Sequence, residues 1–358
     1  MPKADLVLEG GGVKGTGLVG ALTALVDRPD PYEFHRIAGT SAGAIVASFL
    51  AAGIAVTDLK QIMTDLDFSE FEDESGVLKH LKLFGEGFGL LFHEGLFSGE
   101  FLHTWVAQTL AKKGVTTWAD LKLDDDQLPE NERYKLVVVV SDVSRGLELR
   151  LPWDFKEVLG VDPDTQLVAD AVRASASIPF FFRPFHTQAA KTHSDGNGYV
   201  LCTDGGMLSN YPIDIFDRAQ NPRWPTLGVK LSARAQVTNA TWSPNANGLE
   251  LAKALVSTMA DAHDQVHVAD DYYSSRTIFV DTTGYSSTNF HLTNADKATL
   301  FDNGHKSGTA FMSTWDYDAW RAKYPGRDPR PPAGSEQAAQ ANATIDVTTP
   351  APSPTSPR

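Results

Sequence analysis

Ser41 stands in Gly39-Thr40-Ser41-Ala42-Gly43, the pattern G-x-S-x-G in which a serine sits on a sharp turn from a strand into a helix. A hydroxyl presented in that way is a candidate nucleophile for acyl transfer. The flanking Gly39 and Gly43 keep side chains away from the turn and from an approaching carbonyl. The neighbouring sequence agrees: Phe34 to Ala38 reads as a short strand, and Ala42 to Ala52 as an apolar, alanine-rich helix. The same pentapeptide arises by chance in a chain with 29 glycines, so its weight depends on what accompanies it.

A second group, Gly10-Gly11-Gly12-Val13-Lys14-Gly15, directly follows the strand candidate Asp5 to Glu9. It fits G-x-G-x-x-G, which raises a nucleotide- or phosphate-binding module as an alternative function. That reading needs an acidic residue about 20 positions on, at the end of the second strand. Here that strand runs into Ala38-Gly39-Thr40-Ser41, with no carboxylate. Backbone N–H groups where a loop opens a helix hold a developing oxyanion equally well, each worth roughly 3–4 kcal/mol in the transition state. The glycine loop and the serine follow successive strands, so they fall side by side at the carboxyl ends.

The serine also needs a base. The chain has ten histidines, none in a sharply defined motif. His186, His193, His263, His267 and His305 are the later ones able to complete a Ser-His-Asp triad. Asp204 in Asp204-Gly205-Gly206, after the strand-like Tyr199 to Thr203, is the distinctive alternative, because Gly205 and Gly206 leave room for a substrate beside the acid. By itself D-G-G is an ordinary turn. Cys202, the single cysteine, excludes an intramolecular disulfide and reads as a small packed hydrophobe.

These groups must be held by a sheet. The first third of the chain alternates strand and helix signals: Asp5 to Glu9, a helix from Leu18 to Val26, Phe34 to Ala38, and a helix from Ala42 to Ala52. This order favours a parallel or mixed sheet covered by helices. Lys135 to Val140 (KLVVVV) has the continuous apolar character of a central strand. Ala169 to Ser177 reads as helix, Leu227 to Leu231 and Thr277 to Val280 as strands, and Leu249 to Tyr273 as a long amphipathic helix. Asp124 to Asp126 reads as a solvated loop. Val77 to Phe97 concentrates large apolar residues and four glycines, which suits either short packed helices or a cap that meets acyl chains or a bilayer surface.

The 358 residues, 42% hydrophobic, suffice for a sizeable core. A formal net charge of −14 argues against a nucleic-acid partner. No basic start followed by an apolar signal segment is visible, and the longest nearly apolar run, Ala44 to Val56, is 13 residues, too short for a bilayer. A soluble, cytoplasmic protein is expected. The last 33 residues hold seven of the 20 prolines and no aliphatic residue larger than alanine except Ile345 and Val347. The expected organisation is one domain over 1–325 and a disordered tail over 326–358.

Taken in order, the G-G-G-x-K-G loop, the G-T-S-A-G elbow and the D-G-G turn resemble the patatin-like phospholipases. Ala174-Ser175-Ala176-Ser177-Ile178-Pro179 is similar to the family's segment ahead of its aspartate, and Asn210-Tyr211-Pro212 follows the family pattern. Gly95 to Leu121 and Ser141 to Trp153 are similar to bacterial members. The resemblance spans Leu6 to Asp318 and implies a three-layer α/β/α fold with a central, mostly parallel sheet. It implies a Ser41–Asp204 dyad without histidine, an oxyanion loop of Gly10, Gly11, Gly12 and Gly15, and a Lys14 that steadies that loop or a substrate phosphate. The activity implied is hydrolysis of phospholipid or related acyl esters through an acyl-enzyme, with no metal or organic cofactor. Transient membrane-surface contact belongs to the same expectation. Transfer of the acyl group to an acceptor other than water uses the same residues and remains an alternative.

Overall fold

The structure is a computed structural model that describes residues 1–73, 97–190, 198–220, 222–232, 270–335 and 337. Its strands are β1 (Lys3–Leu8), β2 (Glu33–Thr40), β3 (Leu136–Asp142), β4 (Leu147–Leu151), β5 (Phe185–Gln188), β6 (Tyr199–Asp204), β7 (Thr226–Lys230) and β8 (Thr277–Phe279). The α-helices among the described residues are α1 (Thr16–Val26), α2 (Ala42–Ala51), α3 (Val56–Asp65), α4 (Glu100–Ala111), α5 (Val168–Ser175), α6 (Asp271–Ser274), α7 (Asn294–Met312) and α8 (Tyr317–Lys323).

All eight strands join one mixed sheet. Its core is parallel, in the order β3-β2-β1-β7-β8, and β4, β5 and β6 add antiparallel pairings. Helices flank the sheet. The βαβα order therefore folds as the alternation of patterns predicts. Every residue of β3 is buried, which accounts for its unbroken apolar run.

Two features of the sheet place the candidate site residues. First, β1 and β2 are parallel neighbours with Leu8 opposite Gly39, so the glycine loop after β1 and the serine turn after β2 leave the same end. Second, β3 has one edge shared by two strands. β4 pairs along Val138 to Asp142, which takes the opposite edge. On the remaining edge β2 pairs up to Thr40↔Val139, and β6, running the other way, pairs from Val140↔Asp204 onward. The ends of β2 and β6 thus meet head to head, and Ser41 meets Asp204.

Three expectations change. The helix expected over Leu249 to Tyr273 does not run to its end: Asp270 is extended and its side chain caps a separate short helix, α6, while residues 249–269 lie outside the described residues. Asp125 is not simply solvated. It pairs with Arg223 and accepts or shares a 2.9 Å hydrogen bond with His35 Nε2, because the loop folds back on β2. The start of the proline-rich segment is attached to the domain. Arg330 donates to Asp214 through its amide and Nε at 3.0 and 2.9 Å, and Glu148 N–H donates to Ala333 O at 2.8 Å. The boundary at 325 is one of composition: ion pairs from Arg327 and Arg330 and a backbone bond to β4 attach this segment, and residues 329–333 are half-buried. Residues 336 and 338–358 of the tail lie outside the described residues, as does the cap candidate Val77 to Phe97 except for Phe97. No helix among the described residues is long and apolar enough to cross a membrane.

Candidate active site

Ser41 has φ 53° and ψ −123°, a left-handed backbone that a residue with a side chain adopts only under constraint. The constraint comes from packing on both sides of the turn. A Cβ on Gly39 would lie 2.3 Å from Gly43 O, and one on Gly43 would lie 2.3 Å from Leu8 O. The flanking glycines are therefore needed for backbone-to-backbone contact within the elbow and against β1, in addition to keeping side chains away from the serine turn. Gly43→Ala should lower stability by about 3 kcal/mol, read as a shift in the urea midpoint, because the backbone of a central strand cannot yield. A midpoint equal to that of the wild type would contradict this packing account.

Asp204 ends β6 and caps the short turn Gly205–Met207. Its Oδ1 accepts the Gly206 N–H at 2.8 Å, and its Oδ2 accepts the Ser41 hydroxyl at 2.6 Å. Residues 163 apart in sequence are thus in direct contact. Burial pushes the Asp204 carboxyl up to about 6, and the hydrogen bonds from Ser41 and Gly206 partly offset that rise. The described histidines stay away. His186 is exposed on β5 against Tyr199, His305 is exposed on α7 against Phe301, and no described histidine lines the cavity at Ser41. His193, His263 and His267 lie outside the described residues. Cys202 is fully buried in β6, and burial pushes its thiol up to about 12.

The glycine loop borders a cavity of about 430 Å³ that also touches Ser41, Asp204, Gly206, Lys14 and Asn210. Within the loop the backbone groups divide. Gly10 N–H donates to Asn210 O at 3.1 Å, Val13 N–H to Ser287 O at 3.1 Å, and Lys14 N–H to Gly11 O at 3.2 Å. Gly12 has φ 56°, and a Cβ there would strike Ser287 O at 2.0 Å. Gly15 lies off the cavity, packed on Ala42 and Met63. Gly205 packs on Val139 O, where a Cβ would come within 2.2 Å.

Three participants escaped the sequence reading. Glu9 is buried at the root of the loop, where its carboxylate pairs with Lys230 and accepts the Leu231 N–H. An acid placed between an apolar strand and a glycine run was a usable signal for it. Ser287, in the chain between β8 and α7, holds the loop from outside and has no local signature. Asn210 was noted only for its place in the family pattern, yet its backbone carbonyl engages the loop. A second, small apolar cavity of about 40 Å³ also reaches Ser41 and is lined by residues that include Ile45, Met63, Phe71, Trp105 and Phe290.

A family model described as Patatin-like phospholipase matches residues 6–217. The uncharacterized protein YqhO of Bacillus subtilis (strain 168) is 34% identical over 313 residues, 87% of this chain and 99% of that protein. Among solved structures, VipD from Legionella pneumophila aligns at 21% identity and TM-score 0.49 over 87% of this chain and 67% of that one. The type III effector protein ExoU, from Pseudomonas aeruginosa, aligns at 15% identity and TM-score 0.45 over 97% of this chain and 59% of that one. By the family match, which covers more than half of its length, and by the Bacillus relative, this chain belongs to the patatin-like phospholipase family, and that membership supports lipid hydrolase activity.

Proposed function

We propose that the protein is a serine acyl hydrolase acting on single acyl esters of lipids, with Ser41 as nucleophile and Asp204 as general base. The observation that carries this reading is the 2.6 Å hydrogen bond from a strained, elbow-mounted Ser41 hydroxyl to a buried carboxylate at the edge of a cavity. Asp204 takes the Ser41 proton as Oγ attacks the ester carbonyl. The tetrahedral oxyanion is held by the Gly11 and Gly12 amides, which line the cavity; the Gly10 amide is already engaged and Gly15 lies off the cavity. Collapse expels the alcohol, which leaves with the proton held by Asp204. Water, deprotonated by the same carboxylate, then attacks the acyl-serine, and collapse releases the fatty acid as Asp204 returns the proton to Ser41 Oγ.

The two cavities both border Ser41 and suit the two halves of such an ester. The apolar one takes the start of the acyl chain. The larger one, with Lys14 and the 286–288 hydroxyls, takes the alcohol and its headgroup. Ile45→Phe narrows the apolar side. If two methylenes lose their burial at about 0.8 kcal/mol each, kcat/KM for long-chain esters drops roughly tenfold relative to short-chain ones. An unchanged ratio across a p-nitrophenyl ester series would place the acyl chain elsewhere.

Because Asp204 must be ionised to accept a proton, kcat/KM should fall as the pH drops through about 6. A rate flat from pH 5 to 8 would count against Asp204 as the base. The reading as a whole is tested by fluorophosphonate labelling with mass spectrometry of the adduct, followed by a panel of acyl esters. Modification of Ser41 with ester turnover is the expected result; no adduct and tight dinucleotide binding would favour a nucleotide module.

A further inference from the structure

The β2–β3 ladder stops one rung short, and a side chain fills the missing rung. Ile37 N–H bonds Lys135 O at 2.8 Å, and the register then advances in step from Ile37↔Leu136 to Thr40↔Val139. In a parallel ladder the next rungs on alternate residues run from Gly39 to Val137 and from Ser41 to Val139. The last of these is interrupted. Ser41 N–H donates to Ser175 Oγ at 2.9 Å, and the same hydroxyl donates to Val139 O at 2.6 Å. Ser175 is the last residue of α5 and is fully buried. Its hydroxyl sits where β3 changes partner from β2 to β6, since Val140 already faces Asp204.

Two residues further on, the same segment grips the other half of the pair. Ser177 O accepts the Asp204 N–H at 2.9 Å and the Thr203 hydroxyl at 2.7 Å. Arg173 Nη1 donates to Ser177 Oγ at 2.5 Å, and its Nε donates to Gly99 O at 2.9 Å. The stretch from Arg173 to Ser177 is therefore a common support for the Ser41 and Asp204 backbones.

We propose that Ser175 is a positioning residue for the nucleophile: its inserted hydroxyl spaces Ser41 from β3, so that Ser41 Oγ meets the carboxylate arriving on β6. Without the hydroxyl, Ser41 N–H and Val139 O lose the bridge between them, the turn is no longer held against β3, and Oγ withdraws from Asp204. A displacement of about 1 Å in a reacting group lowers turnover on the order of 100-fold. The inference rests on the hydrolase reading above, and its test separates the two.

Ser175→Ala, Ser175→Cys and Ser175→Thr would be compared with the wild type on a soluble short-chain ester, with Tm and amide hydrogen exchange at Ser41 measured alongside. The expected result is a fall in kcat of about 100-fold for Ser175→Ala with KM nearly unchanged, most of the rate returning in Ser175→Thr, and faster exchange at Ser41 in the alanine variant. Should the alanine variant fail to fold, the near-isosteric Ser175→Cys carries the same comparison. A kcat within threefold of wild type in a folded Ala or Cys variant overturns the proposal. So does a loss that Ser175→Thr does not repair, which indicates packing alone. A wild type that neither turns over esters nor labels at Ser41 defeats the hydrolase reading instead. In that case the positioning claim stands or falls on whether Ser41 exchange is faster in the variant.

Discussion

Ser41→Ala is expected to abolish ester hydrolysis, by on the order of 10⁶-fold for loss of an activated nucleophile, and to leave the fold intact. The fold survives because Ser41 is held through its backbone: its amide is bound by Ser175, and its carbonyl accepts the Ala44 and Ile45 N–H groups at the start of α2. The same site makes a second, less usual prediction. Alanine keeps the strain of φ 53°, whereas glycine is at ease there. Relief of about 1–3 kcal/mol of strain, less the extra unfolded-state freedom of glycine, should leave Ser41→Gly about 1 kcal/mol more stable than Ser41→Ala. Denaturant unfolding of the two inactive variants compares them directly. Residual hydrolysis in Ser41→Ala would remove Ser41 as nucleophile, and a glycine variant weaker than the alanine one would remove the strain.

Asp204→Asn should remove a general base, with a rate loss on the order of 10²–10⁴-fold, and should also stabilise the protein above pH 6. Asp204 is pushed from 3.8 to about 6, chiefly by burial. The native state therefore favours the neutral acid. The stability from that preference is fully present below pH about 4 and is lost as the pH rises through about 6. Asparagine is neutral throughout, and its amide still offers an oxygen to Gly206 N–H and an N–H to Ser41 Oγ. The variant should draw ahead of wild type between pH 4 and 6 and hold a lead of about 3 kcal/mol at pH 8, two pKa units at 1.36 kcal/mol each. Unfolding free energies at pH 4 and pH 8 provide the check. A lead that is the same at both values would mean that Asp204 is not a buried charge, and a wild-type rate in the variant would mean that it is not the base.

Much of the site was legible in the chain because it is written in local backbone requirements. A serine at positive φ with glycines on both sides declares an elbow, since Gly39 and Gly43 stand where no Cβ fits. The alternation of strands and helices put the Gly10 loop and Ser41 at one end of neighbouring strands, and β1 and β2 are indeed parallel partners. Composition had less to say where ion pairs do the holding, as in the attachment of residues 326–335 by Arg330 and Asp214.

What the sequence by itself determined is a set of candidate groups and the local turn that carries each: the Ser41 elbow, the glycine loop and the Asp204 turn. Each depends on conformations of a few adjacent residues, so each leaves a mark in a few adjacent letters. Only the tertiary structure decided how they combine. That Asp204 faces Ser41 follows from two strands meeting end to end on one edge of β3, a matter of sheet register between residues 163 apart. That Gly10 is spent on Asn210, that Ser287 braces the loop, and that the Ser175 hydroxyl completes the last rung are likewise long-range pairings. Hydrogen bonds between distant segments impose no spacing on the chain, and so these partners become visible only when the sheet is assembled.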